Sequence, residues 1–292
     1  MKTSPIIISL ISLSLTVAAQ AQEETISGII TTRIIQPDGR TTAFVLVDPA
    51  KPTAAVLASG ADAAALVPRN QVTLTGTSAD GTPGTALQVK AGSVKVGETN
   101  QPFKSQSITA AAFKDASASA GNYVQLAGVS FVADKFDNTG TAQVKTADGS
   151  VVSLLVSKGA TGRETPKSVT DVFGVVVKSG SEWKLAAARF LPANRKEVIE
   201  LATKDTCMGC HNPDTRGVAG TLLLGPTYRD VAANYRNDPA AADKIIAQMQ
   251  NGGTGKWGTN AMPPLKAVLQ PDDMKKLADW ILGYRWDAIL AE

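Results

Sequence analysis

Short stretches rich in Val, Ile, Thr and Leu alternate with turn-forming residues from Thr25 to about Arg195. Stretches of this kind, bounded by Gly, Pro, Asn and Asp, are typical of β-strands. They include Thr25–Ile35, Thr42–Val47, Val72–Gly76, Val124–Val132, Thr141–Lys145, Val151–Val156, Val172–Lys178 and Lys184–Phe190. The pattern predicts a mostly antiparallel β region over this part of the chain.

An internal repeat divides the β region in two. Ile26-Ser27-Gly28-Ile29 aligns with Leu126-Ala127-Gly128-Val129, and Val72–Gly76 aligns with Thr170–Gly174. Two copies of a five- or six-stranded unit of about 75 residues suit small closed barrels. We therefore expect two OB-like barrels, although a β-sandwich gives a similar one-dimensional pattern.

The hydrophobic spacing becomes helical after Arg195. Helices are predicted over Lys196–Thr203, Pro226–Tyr235, Pro239–Gln250 and Pro271–Leu290. The last of these begins with a proline followed by two aspartates, which favour the positive end of a helix dipole. The C-terminal part of the chain is thus expected to be a small helical domain.

These patterns predict a multidomain protein with two antiparallel all-β units followed by an all-α domain. We place the first β unit at residues 22–98, a linker at 99–121, the second β unit at 122–194 and the helical domain at 195–292. The linker is expected to contain a short helix around Thr109–Lys114.

Residues 1–21 have the parts of a secretory signal peptide: Lys2, the apolar run Ile6–Val17, and the small-residue cleavage site Ala19-Gln20-Ala21. We expect cleavage before Gln22 and a periplasmic or otherwise exported protein that keeps no membrane span. The alternative is an uncleaved anchor, but the run is shorter than the roughly 20 apolar residues that a spanning helix needs.

Composition and charge exclude some functions. The chain has 292 residues, 43% of them apolar and 19% charged, as in ordinary globular proteins. Its formal net charge is +3 and its basic residues are dispersed, so we expect no nucleic-acid partner. Phe44 is the only aromatic residue of the first β unit, which disfavours an alternative function of the barrels in binding single-stranded nucleic acid.

The two cysteines and the single histidine lie together, at Cys207, Cys210 and His211. A four-ligand zinc site or a disulfide framework cannot be built from so few residues. The sequence Cys-x-x-Cys-His is the attachment motif for haem c, in which both thiols add to haem vinyl groups and the histidine ligates the iron. A thioredoxin-like dithiol is the alternative, but it is expected after a strand rather than among helices.

A sixth iron ligand cannot be a second histidine, because the chain has none. Methionine is the usual alternative and raises the reduction potential. Met208 lies between the two cysteines, while Met249 and Met274 have the spacing of core residues. We therefore expect Met262, in a glycine-rich loop before two prolines, to be the ligand rather than an ordinary loop methionine.

The last ~95 residues resemble a class I monohaem cytochrome c of the small bacterial electron-carrier type. The matching residues are Cys207, Cys210, His211, Gly225-Pro226, Tyr228, Asn251-Gly252, Trp257-Gly258, Met262-Pro263-Pro264 and Trp280. The resemblance implies that Pro226 packs beside the ligand histidine and that Trp257 bonds a haem propionate. Pro226 is also compatible with an ordinary first helical residue, and Trp280 is expected in the core.

These features predict a non-enzymatic electron carrier with one covalent haem c and its iron, bound by Cys207, Cys210, His211, Pro226, Trp257 and Met262. Catalytic residues are not expected, and His211 and Met262 are the expected metal ligands. The expected partners are redox proteins, such as a periplasmic or membrane oxidoreductase, and the β units are expected to be docking or spacer modules. The alternative is a haem-based sensor of small ligands, or an enzyme subunit, in which Met262 is displaced.

Overall fold

The computed structural model describes residues 23–78, 86–99, 101–205, 207–213 and 224–290. The expected signal peptide, residues 1–21, lies outside these residues. Within the described ranges, no helix is both long and apolar enough to cross a membrane.

The first β unit is a closed five-stranded barrel, barrel 1, with an extra edge strand. Its elements are β1 (Glu23–Ile35), β2 (Thr41–Leu46), β3 (Ala54–Ala58), helix α1 (Gly60–Ala65), β4 (Gln71–Ser78), β5 (Leu87–Val89) and the edge strand β6 (Lys95–Val96). The strands follow the order β1-β2-β3-β5-β4, and β4 pairs with β1 to close the barrel. This order is that of an OB-type barrel, and it excludes the alternative sandwich.

Barrel 2 repeats this topology. Its elements are the edge strand β7 (Gln106–Ile108), then β8 (Tyr123–Phe131), β9 (Thr141–Lys145), β10 (Val151–Leu155), β11 (Thr170–Ser179) and β12 (Glu182–Pro192). The order β8-β9-β10-β12-β11 closes through pairing of β11 with β8. The segments aligned in the sequence lie on equivalent strands, β1 with β8 and β4 with β11, so two barrels are confirmed.

The pairing is not antiparallel throughout. In each barrel the third and fifth strands run parallel, with Val56 opposite Leu87 in barrel 1 and Leu154 opposite Leu185 in barrel 2. Strand β7 also runs parallel to β8, although it lies in the segment predicted to be a linker. A 3-10 helix at Ala110–Asp115 confirms the short helix expected there.

The two barrel cores are closed differently. Within the described part of the chain, the core cluster of barrel 1 contains only residues between 26 and 94, including Ala63 of α1 and Leu66 just after it. At the equivalent position between the third and fourth strands, barrel 2 has only the 3-10 turn Lys158–Ala160. Its core instead includes Trp286, Ile289 and Leu290 from the C-terminal end of the chain.

The remaining elements form the helical domain. They are α2 (Arg195–Lys204), a 3-10 turn at Cys207–Gly209, α3 (Tyr228–Asn234), α4 (Ala241–Asn251), α5 (Pro271–Gly283) and α6 (Arg285–Ile289). The Thr227 hydroxyl caps α3 by accepting from the amide of Asp230 at 3.0 Å. Pro226 therefore lies before the cap, so its interpretation as a first helical residue is wrong.

The single last helix predicted over Pro271–Leu290 is wrong, because the structure has two helices, α5 and α6, which meet at Tyr284. Gly283 ends α5 in close contact with Pro192 of β12. A Cβ atom on Gly283 would lie 2.5 Å from the proline Cδ. Leu191, next to this proline, is buried in the core of the helical domain. The helical domain thus packs directly on barrel 2.

The two barrels also touch each other. Ile34 and Phe44 of barrel 1 pack against Val175 and Ala186 of barrel 2. The amide of Ile35 donates to the hydroxyl of Ser157 at 2.9 Å.

Candidate haem-binding site

The two cysteines lie on one short turn that follows α2. The amides of Cys210 and His211 both donate to the carbonyl of Cys207, at 3.2 and 3.0 Å. This turn brings the three side chains to one cavity of about 350 Å³ in the helical domain, hereafter the site cavity. Burial, and next the charge of Asp205, raise the pKa of the Cys207 thiol.

His211 is held in one orientation by three neighbours. Its Nδ1 atom lies 2.7 Å from the carbonyl oxygen of Pro226. A carbonyl only accepts, so Nδ1 carries the proton and Nε2 is the nitrogen left for a metal. The ring of Tyr228 stacks on the imidazole at a centroid distance of 5.3 Å and an angle of 18°. The backbone at residue 225 lies against the imidazole, and only glycine fits there, since a Cβ on Gly225 would lie 2.4 Å from the imidazole Cε1.

Met262 also lines the site cavity, from the loop between α4 and α5. Its amide and carbonyl form two hydrogen bonds of 2.9 Å with the carbonyl and amide of Gly253. This small antiparallel bridge fixes the backbone of Met262. In the same loop, the Asn260 side-chain amide donates to the carbonyl of Leu224 at 3.0 Å, beside the segment that holds His211.

The walls of the site cavity suit a flat apolar group with a polar edge. The lining side chains include Val231, Ile245, Leu265, Leu277 and Ile281. Trp257 lies at the rim, 43% exposed, and Lys256 is packed on the ring of Tyr235. Apolar walls exclude water, whereas the N–H groups of Trp257 and Lys256 at the rim can donate hydrogen bonds to carboxylates. These observations fit a haem, which has an apolar ring and two carboxylate groups.

All six residues predicted for the site line this one cavity: Cys207, Cys210, His211, Pro226, Trp257 and Met262. Of the two methionines predicted to be core residues, one also lines the site cavity. Met274 is buried and lies outside the lining, as expected for a core residue. Met249 is buried as well but also lines the site cavity from α4.

Two contacts at the site were not predicted from the sequence. The first is the stacking of Tyr228 on His211, and the second is the link from Asn260 to Leu224. Tyr228 is one of the residues that carry the family resemblance, but nothing in the sequence indicates that its ring stacks on His211, and no signal marks Asn260. Trp280 is fully buried and packs edge-on against Tyr228, with centroids 5.1 Å apart, which confirms its expected place in the core.

Comparison with known proteins finds relatives of the helical domain. The family model described as Cytochrome c matches residues 196–284. Cytochrome c-551 of Allochromatium vinosum is 43% identical over 85 residues, which are 29% of this chain and 83% of the relative. Cytochrome c-552 of Nitrosomonas europaea is 36% identical over 98 residues, covering 33% of this chain and 88% of the relative.

The crystal structure of wild-type Nitrosomonas europaea cytochrome c552 matches with 35% identity and a TM-score of 0.26, over 30% of this chain and 98% of that one. The chain belongs to the cytochrome c family, and its C-terminal part is a class I monohaem cytochrome c, an electron carrier with one covalently bound haem c.

Proposed function

We propose that Cys207 and Cys210 hold the haem through thioethers, with His211 and Met262 as the two iron ligands. The observation that carries this proposal is the hydrogen bond from His211 Nδ1 to Pro226, which leaves Nε2 for the iron. Met262 supports it as a sulfur donor that reaches the same cavity from a different loop, with its backbone fixed by Gly253.

The surrounding residues have supporting roles in this proposal. Pro226 orients the imidazole through its carbonyl, and Tyr228 restrains the ring from one face. The indole N–H of Trp257, at the rim, donates to a haem propionate. Such contacts around a metal site fix ligand orientation and adjust the electronic properties of the metal.

The bound haem supplies a one-electron ferric/ferrous couple, and methionine ligation raises its potential. If His211 and Met262 both hold the iron, the protein would offer no open coordination site to a substrate. The apolar walls keep water away from the ligands, while the exposed rim gives partners access to one edge. Single electrons thus pass between redox partners without a catalytic residue in this chain.

We further propose that the protein is exported after cleavage near Gln22 and meets a periplasmic or membrane oxidoreductase. The sequence of residues 1–21 supports export. Barrels 1 and 2 act as docking or spacer modules, a role supported by the direct packing of the helical domain on β12. The intact mass of the purified protein tests whether the chain is cleaved before Gln22.

The ligand assignment is tested by replacing each methionine that lines the site cavity. Met262→Ala should abolish the methionine-to-iron charge-transfer band and lower the reduction potential. The matched control is Met249→Leu, which keeps an apolar side chain of similar volume and should retain both properties. A band that survives in the Met262 variant and disappears in the Met249 variant would overturn the assignment.

The same protein also tests the competing sensor or enzyme function. Rapid binding of CO to the reduced wild-type protein at neutral pH, with loss of the charge-transfer band, would show that Met262 leaves the iron readily. Slow or undetectable CO binding is expected, because the Gly253 bridge holds the Met262 backbone in place.

A further inference from the structure

Helix α6 lies beyond the part of the chain that matches the cytochrome c family, which ends at residue 284. Its Trp286 is only 3% exposed and belongs to the core of barrel 2. The indole meets Phe136 and Phe190 edge-to-face, with centroids 5.4 and 5.6 Å away. The end of the helical domain therefore completes the core of a β-barrel.

The connection between α6 and the site cavity is short and tightly packed. Arg189 of β12 lies over the ring of Tyr284, 5.5 Å from its centroid, and Gly283 abuts Pro192. Leu277 and Ile281, which precede Gly283 in α5, form part of the wall of the site cavity. Movement of α6 out of barrel 2 would consequently disturb a helix that lines the site cavity.

Barrel 1 has no such dependence among its described residues. Its core cluster is confined to residues 26–94 and is covered by its own helix α1. Its contact with barrel 2 lies outside this core: a small apolar cluster between outer faces, and hydrogen bonds from Ile35 to Ser157 and from Thr53 to Gly121. Loss of the helical domain would leave the core of barrel 1 covered but would expose that of barrel 2.

We propose that α6 is a plug that joins barrel 2 and the helical domain into one cooperative unit, so that filling the site cavity with haem also stabilises barrel 2. A ligand that binds only the folded state stabilises every part that unfolds together with its site. Barrel 1 has its own complete core, so haem binding should add little to its stability. The haem dependence rests on the proposed attachment at Cys207 and Cys210, whereas the plug itself does not.

Hydrogen–deuterium exchange of the full chain tests the haem dependence. The haem-loaded protein is compared with a Cys207→Ala/Cys210→Ala variant, which cannot attach haem. Peptides from β8–β12 should exchange at least about tenfold faster in the variant, while peptides from β1–β5 keep their rates. Equal exchange of β8–β12 in the two proteins would overturn the proposal.

Replacement of the plug residue tests its role directly. Trp286→Ala should speed the exchange of β8–β12 and α5 together and remove the response of barrel 2 to haem loading. The control Trp183→Ala removes a half-buried tryptophan that packs on the same core from within barrel 2, and it should leave the response in place. A Trp286→Ala protein that retains the full response contradicts the proposal.

Two further measurements keep the outcome interpretable. Trp286→Phe keeps an aromatic ring and should give a smaller effect of the same kind, which covers the case in which the alanine variant does not fold. The intact mass shows whether wild-type protein carries covalent haem. If it does not, the proposed attachment fails, while the plug is still judged by whether β8–β12 and α5 lose protection together in the Trp286 variants.

Discussion

Barrels 1 and 2 share one strand order, yet they differ in what covers the end of their cores. Barrel 1 uses α1 and Leu66, both local to the barrel. Barrel 2 has a short 3-10 turn at that position and takes Trp286 from the far end of the chain. The same topology can therefore form a self-contained domain or depend on a distant segment.

The difference also separates two kinds of interface. The contact between the barrels joins side chains from the outer faces of two closed cores, whereas α6 enters the core of barrel 2 itself. Removing an outer contact leaves both cores intact, but removing a core side chain leaves a cavity, which costs more free energy. The following variants test this distinction.

The largest effect on barrel 1 is expected from Leu66→Ala. Leu66 is fully buried beneath α1, so its truncation should lower the free energy of unfolding of barrel 1 by about 2–5 kcal/mol. Hydrogen exchange should show faster exchange in β1–β5 only, in contrast to Trp286→Ala. Leu57→Ala, which truncates a half-buried side chain on β3, is the control and should cost less. Faster exchange of β8–β12 in the Leu66 variant would show that barrel 1 is not self-contained.

A smaller effect is expected at the contact between the barrels. Ser157→Ala removes the buried hydroxyl that accepts from the Ile35 amide and should cost about 1–3 kcal/mol. Exchange should increase at the C-terminal end of β1, with the α6 contacts unchanged. Ser153→Ala, on β10 of the same barrel, is the control. An unchanged rate at Ile35 would show that this hydrogen bond does not hold the two barrels together.

The smallest effect concerns the connection between β8 and β9. Burial alone would raise the pKa of Asp137, but hydrogen bonds from the amides and hydroxyls of Thr139 and Thr141 outweigh it and lower the pKa. A lowered folded pKa stabilises barrel 2 above the unfolded value of about 3.9, and the contribution is lost as pH falls through the folded pKa.

Acid titration of unfolding checks this expectation. The wild-type protein should lose stability below about pH 4 more steeply than Asp137→Asn, which lacks the titrating group. The expected difference is small because the carboxylate is largely exposed to solvent. Identical pH profiles for the two proteins would count against a role for Asp137.

Local sequence signals predicted much of the structure. The strands follow from short β-branched stretches between turns, and the cysteine motif from its fixed spacing around His211. The parallel pairing of β3 with β5 could not be predicted, because it depends on which strands meet in space. The break at Tyr284 was missed as well, since Met274, Leu277 and Ile281 continue a helical pattern and nothing local marks the contact of Gly283 with Pro192.

At the site, too, local sequence signals predicted some residues, whereas contacts between distant elements were not predicted. Met262 was predicted as an iron ligand from its loop and its neighbouring prolines, and it lines the site cavity. The approach of Met249 to the same cavity was not predicted, because side chains on a helix face have the same spacing whether they line a cavity or pack in a core. The stacking of Tyr228 on His211 depends on how α3 packs against the cysteine turn, and so it required the three-dimensional structure.

If Met262 ligates the iron as proposed, its bridge with Gly253 has a consequence for the speed of electron exchange. Both backbone groups of Met262 are hydrogen-bonded to the same residue, so its Cα atom has little freedom to shift. Ligands held in one place in both oxidation states keep the reorganisation energy of electron exchange low. Gly253→Pro, which removes the amide that donates to the Met262 carbonyl, would slow the self-exchange of electrons between two copies of the protein.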